Sequence, residues 1–217
     1  MIFVRQSSGR RASLLSYGLM LAKTVESILQ IKITLKGSKP PIWRRVLVPA
    51  SSTLTQLHSV IQEAMGWWDC HLHGFRIGDE RYTIPEPGGG FMGMDQGEID
   101  ERKVRLHHVL GAKGATAIYD YDFGDDWEHQ VTVEKISMPE SGVAYPVCVA
   151  GKRRCPPEDC GGVYGYYDLL AALKDPAHER HQELTEWIGS VPDPEAFLLE
   201  EANERLTSLQ KARRKKV

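Results

Sequence analysis

ILQIKITLKGSKPPIWRRVLVPASSTLTQLHSVIQEAMG, residues 28–66, carries three structural signals in succession. Ile31, Ile33 and Leu35 alternate with Lys32, Thr34 and Lys36, and period two is the mark of a half-buried strand. Gly37-Ser38-Lys39-Pro40-Pro41 reads as a turn, so Ile42–Val48 returns as the second strand of a hairpin. Thr53 and Gln56 then stand three apart, where hydroxyl and amide can each satisfy the other's free backbone N–H. The helix they open places Leu54, Leu57, Ile61 and Met65 on one side and stops at Gly66.

Working outward, Cys70–Ile77 is strand-like, and Gly78-Asp79 turns it into Arg81–Ile84. Two strands, a helix and two more strands follow the order of a β-grasp-like unit. Residues 85–98 form a glycine-rich loop that lacks the Gly-Lys-Ser/Thr of a phosphate loop. Val104–Leu110 is read as a short helix, and Ala117–Phe123, Gly124-Asp125-Asp126 and Trp127–Ile136 as a hairpin. Beyond Tyr145-Pro146 the chain reads as a rigid Cys- and Pro-rich loop, then three helices. They span Tyr166–Leu173, a second from Asp175-Pro176 to Gly189, and a third from Asp193-Pro194 toward Gln210. Asp and Pro suit a helix entrance because Pro has no N–H to leave unsatisfied. The predicted class is α+β: a β-grasp-like mixed sheet from the N-terminal two thirds, covered by C-terminal helices. Residues 28–210 are expected to be one domain, flanked by a poorly ordered extension over 1–27 and a basic tail over 211–217.

Charge narrows the function classes. Residues 1–30 carry +3 and the tail 211–217 carries +5, whereas residues 31–210 hold 18 basic and 28 acidic side chains, for −10. Phosphate neutralisation needs clustered Lys and Arg, so the body is a poor nucleic-acid surface. The tail can touch nucleic acid or an acidic partner, although a solvated, frayed end is the plainer reading. No apolar run reaches the ~18 residues of a membrane span. Arg10-Arg11 before Leu14–Ala22 faintly resembles a secretion signal, but Lys23 follows directly, without an Ala-x-Ala site. Met20 stands where an initiator would, and the protein is read as cytoplasmic.

Four motifs in order resemble the Ri-plasmid ORF-3-like family. They are Pro-Pro-Ile-Trp-Arg-Arg (40–45), Gly-Trp-Trp-Asp-Cys-His-Leu-His-Gly-Phe (66–75), Tyr-Asp-Tyr-Asp-Phe-Gly-Asp-Asp-Trp-Glu-His (119–129) and Cys-Pro-Pro-Glu-Asp-Cys-Gly-Gly (155–162). The likeness covers residues 28–206 and implies a bacterial or mobile-element origin. Some members carry a transposon-resolvase label. Phe3-Val4-Arg5-Gln6-Ser7 is only a passing likeness to the serine-recombinase strand, and it lies outside the resembling region.

Two constellations are chemically suggestive. His71 and His73 share a strand face, His129 shares one with Trp127, and Asp120 and Asp122 lie on the preceding strand. His-x-His with carboxylates is an acceptable set for a divalent metal that activates water, so His71, His73, Asp120, Asp122 and His129 are the catalytic candidates of a metal-dependent hydrolase. The three histidines are expected to converge on one side of the sheet. Cys155, Cys160, His178 and His181 form a candidate zinc tetrahedron, with the two histidines one helical turn apart. The plainer readings are structural histidines and buried reduced thiols. No Gly-x-Ser-x-Gly elbow is present, and His178-Glu179-Arg180-His181 is not His-Glu-x-x-His. The residues therefore favour a non-catalytic interaction module with a protein partner, the metal-dependent hydrolase being the alternative.

Overall fold

The computed structural model describes residues 27–85, 97–189 and 193–214. The extension over 1–26 and the end of the basic tail lie outside them. Strands β1 (Ile28–Leu35) and β2 (Trp43–Pro49) form the first hairpin, and α1 (Leu54–Met65) follows. Next come β3 (His73–Ile77), β4 (Glu80–Thr83), β5 (Glu98–Asp100), a 3-10 turn (Glu101–Lys103) and α2 (Leu106–Val109). Then β6 (Thr116–Tyr121), β7 (Trp127–Ser137) and β8 (Val147–Lys152) precede α3 (Gly162–Lys174), α4 (His181–Ile188) and α5 (Leu199–Arg214). The class is α+β: the described residues form one mixed eight-stranded sheet in the order β5-β4-β3-β6-β7-β1-β2-β8.

The two N-terminal hairpins do not pair with each other. The β6–β7 hairpin lies between them, with β7 antiparallel to β1 (Ile33 opposite Val131) and β6 antiparallel to β3 (Phe75 opposite Tyr119). Directly opposed residues share a face, so Leu29, Ile31, Ile33, Val46, Phe75, Tyr119, Tyr121, Trp127, Val131 and Val133 gather into one buried layer. Helix α1 supplies Leu54, Leu57, Val60 and Ile61 to that layer. Helix α5 adds Ala202 and Leu206 and packs on both α1 and β8. The opposite sheet face is polar, tied by Arg45–Glu134 and by Arg76 to Asp120 and Glu128.

The Thr53–Gln56 capping box forms as read: Gln56 N–H donates to Thr53 Oγ1 (3.2 Å) and Thr53 N–H to Gln56 Oε1 (2.9 Å). Gly66 ends the helix at φ 91°. Thr53→Ala is expected to cost about 1 kcal/mol in a urea-unfolding measurement, because it orphans one first-turn N–H.

The C-terminal third departs from the sequence reading in three ways. Residues 147–152 form edge strand β8 rather than loop, and the Asn203 side-chain amide of α5 bonds both N–H and C=O of Cys148. That pairing occupies an edge that would otherwise be open. Asp175 does not cap a helix starting at Pro176. It closes α3, while its carboxylate accepts Ala177 N–H, and α4 begins only at His181. Asp193 likewise accepts Glu195 N–H in an isolated turn, and α5 begins at Leu199. Each Asp-Pro seeds one turn that does not propagate. The second holds Phe197 against Gly151, where an added Cβ would come within 2.6 Å of the ring. Leu184 of α4 packs on Leu169 and Ala172 of α3, not on the sheet. Helix α5 carries its backbone through the start of the basic tail to Arg214.

Candidate functional site

Three segments meet at one end of the covered sheet face: the connection 67–72 after α1, the β6–β7 turn, and the loop 155–162. Trp67 sits beneath them, its ring against Tyr121 (5.1 Å), Trp127 (5.6 Å) and His129 (5.1 Å), and its indole N–H donates to the Pro156 carbonyl (2.9 Å). The Tyr121 hydroxyl accepts Cys70 N–H (3.1 Å) and donates to Glu158 (2.5 Å). Glu158 also accepts Trp68 N–H (2.8 Å). Asp125 anchors the loop to the turn by accepting Gly161 N–H (3.1 Å). Gly162 adopts φ +67° there, and a Cβ on it would stand 2.2 Å from the Asp125 carbonyl, so this position requires glycine.

The convergence brings His71 Nε2 to 3.2 Å from Asp159 Oδ1 and 3.6 Å from Asp122 Oδ2. The geometry makes neither contact a hydrogen bond, and the nitrogen is sealed from solvent. Behind this cluster is a buried polar column. His58 and His73 stack at 3.4 Å with 4° between their planes. His58 Nε2 bonds Asp69 (2.8 Å) and its Nδ1 the Tyr119 hydroxyl (2.7 Å), which also accepts from Gln62 (2.9 Å). His73 Nε2 donates to Glu101 (3.0 Å), a fully buried carboxylate. Burial, aided by the adjacent His73 ring, pushes His58 down to about 4. His129 is completely enclosed and burial pushes it down to about 4 as well, against a smaller opposing pull from the Trp127 and Tyr119 main chain.

Of the five proposed catalytic residues, only His71 and Asp122 come into contact. The register places His73 opposite Tyr121 and His129 opposite Tyr119, so both histidines lie on the covered face, with Tyr119 packed against both rings. Asp120 points to the other face, because strand residues alternate, and it accepts two bonds from Arg76 (2.8 Å each). The hydrolase set as read from spacing is therefore not assembled. No three of Cys155, Cys160, His178 and His181 bring their ligand atoms within 4.8 Å of one another. His178 precedes α4 and its Nδ1 accepts Arg180 N–H, while His181 Nδ1 bonds the Ala172 carbonyl. Cys155 lies in the main core.

The spacing argument missed Asp159, Glu158, Asp69, Glu101 and His58. His58 carried a signal, being four residues beyond Leu54 on the apolar face of α1. Glu101 carried none, since β5 and its 3-10 turn follow an unpatterned glycine run.

The thiols behave as burial dictates. Burial pushes both Cys155 and Cys160 up to about 12, whereas Cys70 is exposed. Since thiolate is the nucleophile, iodoacetamide at pH 8 is expected to modify Cys70 first and Cys155 only after unfolding, as read by peptide mass mapping.

Beside the cluster opens a cleft of about 540 Å³, lined by Trp67, Trp68, Trp187, Phe197 and Leu198, by Arg44, Arg154 and Arg205, and by the carboxylates Glu158, Asp159 and Glu201. Arg44 is buried, and its guanidinium donates only to carbonyls, those of Ala64, Trp43 and Lys152, over the Phe197 ring (4.3 Å). Among the described residues, Arg44, Arg154 and Arg205 have no carboxylate within ion-pair distance.

This architecture recurs in known proteins. The crystal structure titled protein of unknown function MM3350 from Methanosarcina mazei Go1 superimposes with a TM-score of 0.72 at 38% identity, covering 81% of this chain and 97% of that one. Uncharacterized protein y4hQ of Sinorhizobium fredii (strain NBRC 101917 / NGR234) is 40% identical over 198 residues, spanning 88% of this chain and 99% of that protein. The sequence profile of the plasmid pRiA4b ORF-3-like proteins matches residues 27–201, and the four motifs that frame the core, turn and loop lie within that match: the chain belongs to the plasmid pRiA4b ORF-3-like family.

Proposed function

We propose that this chain is a non-catalytic binding module whose cleft takes an acidic segment of a partner protein, anchored by an apolar side chain. The observation that carries this reading is the set of three arginines in an aromatic cleft, none with a carboxylate within ion-pair distance among the described residues, although Glu158, Asp159 and Glu201 share the lining. A cationic guanidinium over an apolar floor favours a ligand carboxylate, and solvent exclusion strengthens that contact. Trp68, Trp187 and Leu198 are 84%, 48% and 54% exposed at the same cleft, and exposed aromatics beside arginine are the residue types that dominate protein interfaces. The cleft volume lies in the range of about 300–1,000 Å³ that binds compact ligands, enough for one or two anchoring side chains. The acidic body argues against nucleic acid as the occupant, and no helix among the described residues is long and apolar enough to cross a membrane. The plasmid-derived family supports a mobile-element-associated or bacterial origin.

The test compares fluorescent peptide pools rich in Asp, Glu, Leu and Trp with pools in which Lys replaces the acids. The acidic pool is expected to bind, to weaken as salt screens the charges, and to lose about tenfold or more in affinity with Arg154→Glu. Equal binding of both pools, or an unchanged affinity in Arg154→Glu, would overturn the proposal.

A further inference from the structure

We propose that His71, Asp122 and Asp159 form a zinc-binding site at the meeting point of the 67–72 connection, the β6–β7 turn and the 155–162 loop. The argument starts from distances. With ligand bonds of about 2.0–2.2 Å, two donors on a tetrahedral zinc ion stand about 3.3–3.6 Å apart. His71 Nε2 is 3.2 Å from Asp159 Oδ1 and 3.6 Å from Asp122 Oδ2, close to the edges of such a polyhedron. All three donor atoms lie within 4.8 Å of one another. An imidazole that merely bridged two carboxylates would aim an N–H at one of them. Here the nitrogen is shielded from water and makes no hydrogen bond to either. A buried ring nitrogen 3.2 Å and 3.6 Å from two carboxylate oxygens, hydrogen-bonded to neither, is a donor set that a cation completes.

The surroundings match this role. The other oxygen of Asp122, Oδ1, accepts Gly124 N–H (3.0 Å) and Asp125 N–H (3.4 Å), which orients the carboxylate and leaves Oδ2 toward His71. Outer hydrogen bonds of this kind fix ligand direction in metal sites. The His71 ring is also held edge-on to Tyr121 (5.7 Å). Glu158, although adjacent, is occupied by the Tyr121 hydroxyl, Trp68 N–H and the Cys70 thiol, so it braces the loop and the protein supplies three ligands. A three-ligand zinc site retains an open position. Asp159 also lines the cleft, so the ion would stand at its edge. This inference does not depend on peptide binding by the cleft, and its test uses metal alone.

Metal-free full-length protein is titrated with Zn²⁺ by calorimetry and, separately, with Co²⁺ by visible absorption. The expected result is one zinc per chain and a Co²⁺ spectrum with the intense bands of a four-coordinate ion. His71→Ala and Asp159→Asn should each weaken zinc at least tenfold, while His178→Ala leaves it unchanged. Asp159 is exposed and its carboxylate is paired only with His71 among the described residues, so Asp159→Asn should keep the fold even if His71→Ala does not. Absence of saturable one-to-one binding, or undiminished affinity in Asp159→Asn, overturns the site. Loss of binding in His178→Ala would also count against it.

Discussion

Between pH 7 and pH 4 the protein is expected to lose about 6 kcal/mol of folding stability through His58 and His129 alone. In the folded state both rings are held down to about 4 from an ordinary value of 6.5. Burial is the main cause for each. The stacked His73 adds to it for His58, where Asp69 pulls the other way but is half-exposed and screened. The His129 ring packs against Trp67 and Tyr119, and the nearby Arg44 charge also disfavours a proton there. The sign follows from which state takes up protons. Above pH 6.5 both states carry neutral rings and stability is indifferent to pH. Below it the unfolded chain protonates while the native rings stay neutral, so native stability falls until the folded rings titrate near pH 4. A depression of about 2.5 pH units corresponds to about 3 kcal/mol per ring. Single domains hold only about 5–15 kcal/mol in total, so acid unfolding should be complete or nearly so at pH 4. Urea midpoints read by tryptophan fluorescence at pH 7, 5.5 and 4.5 check this, and His129→Leu should halve the slope. A flat profile over that interval would mean that the rings are protonated in the native state or reached by water.

The sequence reveals most about the parts of this molecule where local chemistry decides. The β1–β2 hairpin, the Thr53–Gln56 box and the Gly66 stop are each determined by neighbours along the chain, and each stands where the residues place it. Sheet order is non-local: nothing in the alternation of Ala117–Phe123 says that its hairpin inserts between β3 and β1. Strand β8 escaped because it is short and its partner, β2, lies about 100 residues earlier. The same distinction runs through the candidate site. Period two put His73 and His129 on one face, but could not say that tyrosines would pack against both rings or that Asp120 would turn to Arg76. Asp159 became visible as a neighbour of His71 only when the 155–162 loop folded back onto the β6–β7 turn, with Gly162 permitting the approach.

That folding back makes Trp67 the residue whose loss should spread furthest. Trp67→Ala is expected to cost about 4 kcal/mol, since a buried indole leaves a large cavity among Tyr121, Trp127 and His129. The same change removes the N–H that holds the Pro156 carbonyl, and with it a tie between the core and the loop bearing Glu158 and Asp159. Trp67→Phe separates the two effects. It keeps an aromatic ring in the stack, trims the indole to a phenyl and removes the donor; losing the bond to Pro156 O costs about 1–3 kcal/mol, and the smaller ring adds a modest cavity cost. If the indole bond is what seats the loop, the Phe variant should stay folded at pH 7 yet expose Cys155 to iodoacetamide and weaken zinc binding, because Asp159 moves with Pro156. If tight packing against the β6–β7 turn is sufficient, the Phe variant should lose stability while Cys155 protection and metal affinity match the parent. Thiol labelling and zinc titration of that one variant distinguish a loop held by the core from a loop that holds itself.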